Sequence, residues 1–128
     1  EFVKNLGLSI SKHWIAVGDY NFEKNKKTNI TETRNKFVKT LNEYECEVYP
    51  NYGTITSSKQ RTGIHGQPYD SGKCFQRVDE EKDLIAFSSN FRLIPDKNSV
   101  YPSGDNLLPN LNWASDHKCV SVTLELKN

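Results

Sequence analysis

The stretch Trp14-Ile15-Ala16-Val17-Gly18-Asp19-Tyr20-Asn21 (WIAVGDYN, residues 14–21) decides how this chain is read. Its first five residues are apolar, with aromatic and β-branched members, and predict a buried strand over 14–18. The three that follow turn polar at the strand's end. Along an extended chain, residues i and i+2 share a side. Asp19 and Asn21 are thus expected to point together into one cleft, with Tyr20 turned away. A carboxylate and a carboxamide after a strand are ordinary turn formers. They are also a base and an amide donor at the rim of a sheet, and the rest of the chain must supply what such a pair would act with.

Outward from this stretch, residues 22–29 (FEKNKKTN) are polar, lysine-rich and predict a loop. Asn29-Ile30-Thr31-Glu32 has the spacing of a capping box. Phe37, Leu41 and Tyr44 follow at i, i+4 and i+7, which predicts a helix from about 30 to 44. Short strands are expected at Glu47-Val48-Tyr49 and at Gly53-Thr54-Ile55-Thr56. From Ser57 to Glu81 no period shows, and a long loop is expected. Asp83 opens a second apolar strand, DLIAFS, over 83–88. Residues 91–111, with Pro95, Pro102, Gly104 and Pro109, read as irregular. The last strand, Cys119 to Leu126, alternates, with Val120, Val122, Leu124 and Leu126 on one side over a core. A helix end at Phe2-Val3-Leu6 completes the set. Four or five strands and one main helix make residues 1–128 a single α+β unit, an α+β layer or one sheet of a sandwich.

Composition narrows the function classes. The chain carries 17 basic and 16 acidic residues, a net charge of +1, so nucleic-acid contact would have to come from local patches. No apolar run approaches the roughly 18 residues that span a bilayer. With no Met and a start at Glu1-Phe2, the sequence reads as an excised or processed segment. Cys46, Cys74 and Cys119 form no CxxC pair, which argues against structural zinc. A Cys46–Cys74 disulfide with one free thiol and three free thiols both stay open.

Three strand ends carry acidic or amide groups: Asp19 with Asn21, Asp83, and Asp116 with His117 in the stretch Ser115-Asp116-His117. Phosphodiester hydrolysis wants these types. Water attacking phosphorus needs a base, for which Asp19 is the candidate. Mg²⁺ prefers carboxylate and water ligands, which suits Asp116. The charge gained by the non-bridging oxygens calls for donors, here Asn21 and the imidazolium of His117. That histidine needs its second nitrogen held by a carboxylate, and Asp83 is the candidate. Trp113 is expected to pack against the site, and His13 to be polar surface.

Gly18-Asp19-Tyr20-Asn21 after a hydrophobic strand, the Asp83 strand, and Ser115-Asp116-His117 before a terminal strand resemble the GD-x-N, aspartate and SDH elements of the endonuclease/exonuclease/phosphatase (DNase I-like) superfamily. The resemblance covers most of this chain but the C-terminal half of that domain. It implies half of a four-layer α/β sandwich with a mixed or antiparallel sheet. By resemblance, Asp19 activates water, Asn21 contacts phosphate, Asp83 orients His117, Asp116 binds Mg²⁺ (or Mn²⁺) and His117 stabilises the phosphate. The family's principal metal-binding glutamate belongs to an earlier half, so the exposed sheet face should want a partner: that half, or another chain. The implied function is a Mg-dependent phosphodiesterase module acting on nucleic acid, incomplete in isolation. The 57–81 segment would help bind substrate through Arg61 and His65, beside Lys59, Lys73 and Arg77. A lipid or inositol phosphate is the second substrate class. A non-catalytic binding or structural module with this fold, or an unrelated α+β domain, is the reading from other classes.

Overall fold

A computed structural model describes residues 13–22, 30–51, 53–62, 75–104 and 108–128. Among them lie one helix and nine strands: β1 (Ile15–Asp19), α1 (Ile30–Glu43), β2 (Glu47–Tyr49), β3 (Ser57–Thr62), β4 (Phe75–Glu80), β5 (Asp83–Phe87), β6 (Phe91–Leu93), β7 (Ser99–Tyr101), β8 (Cys119–Ser121) and β9 (Leu124–Leu126). The class is α+β, mostly strands, and every strand pairing is antiparallel. Phe2, Val3, Leu6, Asn29, His65, Lys73, Cys74 and the lysines of 24–27 lie outside the described residues.

The central element is β5, flanked by β1 and β2 in a three-stranded sheet. Leu84, Ile85, Ala86 and Phe87 are all buried, as the apolar run predicts for a strand covered on both sides. One face of this sheet carries α1. Leu41 on the helix packs with Cys46 and Ala86, and Trp14, Phe37, Tyr44 and Val48 close around them. Tyr20, Phe22 and Phe37 extend this face as an aromatic cluster with ring centroids 5.0–6.0 Å apart. The Tyr20 side chain therefore lies on the helix side, turned away from its neighbours as expected.

The helix stops in a paired C-terminal cap. Glu45 N–H donates to Asn42 O and Cys46 N–H to Leu41 O, with Glu45 left-handed at φ 58°. Behind the cap, buried Arg34 reaches the Pro50 carbonyl at 2.9 Å and forms an ion pair with Glu81 at 2.9 Å. This ties helix, β2 exit and β5 entry together.

Several expectations need correcting. The strand at 14–18 is not buried: Ile15 is 49 % and Val17 68 % exposed, because α1 covers one face of β1 and nothing described covers the other. Residues 53–56 are a turn and a connector, not a strand. The supposed loop from Ser57 to Glu81 contains β3 and β4, paired from Ser57↔Glu80 to Thr62↔Phe75. Their residues, SSKQRT and FQRVDE, lack alternation, and the backbone ladder rather than a hydrophobic face defines them. The irregular 91–111 segment contains β6 and β7. The terminal strand is broken in two, β8 pairing with β7 and β9 with β6. Its apolar side is half-covered at Val120, Val122 and Leu124 and exposed at Leu126. These three side chains, with Ile15, Val17 and Ile85, line an open apolar groove of ≈ 410 Å³. Cys46 is a free, buried thiol, and Cys74, its suggested partner, lies outside the described residues. No helix among the described residues is long and apolar enough to cross a membrane.

Candidate functional site

The site is built where the open face of the central sheet ends. In the β1–β5 register, Ile15 faces Phe87, Val17 faces Ile85 and Asp19 faces Asp83. Alternation puts Ile15, Val17 and Asp19 on the side away from the helix core. The same apolar row that lacks a cover thus runs straight into two carboxylates set opposite each other. Like charges at facing positions repel, and a donor placed between them relieves that cost.

His117 is that donor. Its segment is pinned to the start of β3: Ser58 N–H donates to Asp116 O at 2.9 Å, Lys118 N–H to Thr56 O at 2.7 Å, and Ser57 bridges His117. The Asp83 strand is pinned to the same place. Thr56 is fully buried, and its Oγ1 accepts from the amides of Lys82 at 3.0 Å and Asp83 at 2.9 Å. One residue therefore fixes both elements whose side chains must meet. His117 Nδ1 lies 2.9 and 3.1 Å from the two oxygens of Asp83. His117 Nε2 faces Asp19 Oδ2 at 3.9 Å. Ser115 Oγ accepts from His117 N–H at 3.1 Å, and Trp113 Nε1 donates to His117 O at 2.7 Å. Trp113 packs against the site as its position suggested.

Asp19 is itself oriented. Its Oδ1 accepts from the Asn21 amide at 2.8 Å, leaving Oδ2 toward the histidine. This contact departs from the expected alternation. The strand ends at Asp19, and Asn21 is left-handed at φ 41°, so Asn21 serves Asp19 through its backbone. The chain bends at Asp116, which is half-buried. Asp19, Asp83 and His117 form a group with one ligand-type atom each within 4.8 Å of one another; Asp116 is not one of the three. Arg61 lies in β3 with its side chain outside the described residues, and His65 is outside them altogether.

Oxygen donors of this type suit a hard divalent cation, which takes one or two carboxylates plus waters. Among the described residues their number falls short, however. Asp83 is occupied by the imidazole and Asp19 Oδ1 by an amide, so Asp19 Oδ2 is the cluster's uncommitted oxygen. The positioning residue that sequence reading missed is Thr56, and no local motif announced it: its role arises from meeting two distant segments.

Comparison of the chain with protein-family models, with curated proteins and with solved structures returns no match.

Proposed function

We propose that this chain is the C-terminal half of a DNase I-like, Mg-dependent phosphodiesterase, with nucleic acid as its substrate class. One observation carries the reading: His117 is held at Nδ1 by Asp83 and presents Nε2 toward Asp19. A carboxylate behind an imidazole fixes its orientation. An oxygen placed between Asp19 Oδ2 and His117 Nε2 can reach both at hydrogen-bond distance.

In this reading Asp19 takes a proton from the attacking water as the new P–O bond forms. Doubly protonated, with Nδ1 on Asp83, His117 donates from Nε2 to a non-bridging oxygen as charge builds there, and the Asn21 side-chain carboxamide is a second donor. The bond from phosphorus to the leaving oxygen breaks, and solvent protonates the alkoxide. Asp116 is the residue we assign to hold Mg²⁺ in this chain, and the ion, if bound, would supply charge neutralisation. Because the donor set is short, the complete site takes further oxygens from a partner, either an upstream half or another chain, laid over the Ile15–Val17–Ile85 face.

The test is plasmid nicking with Mg²⁺ by the chain alone and mixed with an upstream half. Asp19→Ala and His117→Ala should each lower the rate about 10²–10³-fold. Equal rates for parent and variants would leave a non-catalytic module as the reading. Loss of nicking with hydrolysis of an inositol phosphate instead would move the substrate class.

A further inference from the structure

The β7–β8 hairpin carries a surface that the proposed chemistry does not use. Tyr101 faces Cys119, and Ser99 faces Ser121. Directly opposed residues share a face. Tyr101 therefore shares one face of the hairpin with Cys119, Ser99 and Ser121. It is 59 % exposed. Its ring meets Trp113 edge-to-face at 5.5 Å, and Trp113 is anchored by its indole N–H to the His117 carbonyl. Cys119, Ser99 and Ser121 on the same face are small and exposed, so the tyrosine ring has open ground beside it.

We propose that Tyr101, backed by Trp113, is a stacking ledge for the nucleobase next to the phosphate held at Asp19 and His117. The proposal rests on the phosphodiesterase reading and narrows it to a nucleic acid whose base is out of the duplex, single-stranded or unpaired. Base faces stack on an exposed aromatic without regard to sequence, while a paired base offers no free face. The edge-to-face contact holds the Tyr101 ring in place, which cuts the entropy lost when a base lands. The small polar neighbours leave room for a planar ring with polar edges. A lipid surface would call instead for a broad apolar patch, which the described residues of this face do not form.

The experiment uses the whole 128-residue chain. Fluorescence anisotropy measures binding of a labelled thymidine decamer and of a decamer with the same phosphates but abasic sugars. The parent should bind the base-bearing strand about tenfold tighter. Tyr101→Ala should erase that preference and leave abasic binding unchanged; Tyr101→Phe should keep it. Equal binding of the two strands by the parent, or a preference that survives Tyr101→Ala, overturns the ledge. So does co-sedimentation with phosphatidylcholine–phosphatidylserine vesicles that Tyr101→Ala abolishes. Nicking that persists in Asp19→Ala and His117→Ala would remove the hydrolytic reading separately, since the base preference is scored without turnover.

Discussion

At the residue scale, the tautomer of His117 follows from its partner. An ionised carboxylate only accepts, so Asp83 requires the proton of a neutral imidazole to sit on Nδ1. Nitrogen NMR of labelled histidine should show the Nδ1–H form of His117, and Asp83→Asn should admit the Nε2–H form. A parent ring that is mostly Nε2–H would remove the orienting role. The thiols give a second expectation. Burial first, and then the charge of Glu45, push the Cys46 thiol up; burial does the same to the Tyr20 phenol. Unfolding lets both groups ionise more easily. Their contribution to stability is therefore full below the ordinary thiol range and is lost as pH climbs through the alkaline range. Alkylation mapped by peptide mass spectrometry should label exposed Cys119 well before buried Cys46. The meeting of Asp83 and His117 was legible because each opens or precedes an apolar strand. That of Asn21 was not, because a left-handed residue breaks the alternation on which the expectation stood.

At the element scale, two local devices hold the site's supports. Glu45 occupies a left-handed cap position that favours glycine. Glu45→Gly should raise stability by roughly 0.5–1 kcal/mol in urea denaturation and relieve part of the upward push on Cys46. Thr56→Val keeps the shape of the side chain but leaves the amides of Lys82 and Asp83 without their acceptor. It should cost about 1–3 kcal/mol and lower the midpoint by several degrees. A merely structural role would stop there; a positioning role also loosens the Asp83–His117 contact, visible in the same nitrogen spectra. The helix was legible from its period and β5 from its apolar run. β3, β4, β6 and β7 were not, since three-residue strands and polar ladders leave no periodic mark in sequence.

At the scale of the whole molecule, the outer side of β1 is left exposed among the described residues, although β5 beside it is buried. Val17→Lys removes a side chain that is 68 % exposed, so stability should change by less than about 0.5 kcal/mol. Binding of a hydrophobic dye should fall all the same, and so should rescue of nicking by an upstream half. Dye binding unchanged by this substitution would mean that the face is not the accessible apolar surface. An exposed sheet face was expected from the resemblance, and Ile15 and Val17 are exposed on β1. Which strand would bare it was not, because a fully apolar run such as WIAVG reads alike whether one or both of its faces are packed.

Val17 and Asp19 stand two places apart on that same side of β1. Whatever shields the first will also dry out the second. A neighbour docking there would strip water from the carboxylates and the imidazole, and charges in a drier medium act on one another more strongly. On the proposed reading assembly and reactivity would be a single event: the unaccompanied chain would stay quiet because its site is wet, and a docked neighbour would supply the low-dielectric wall.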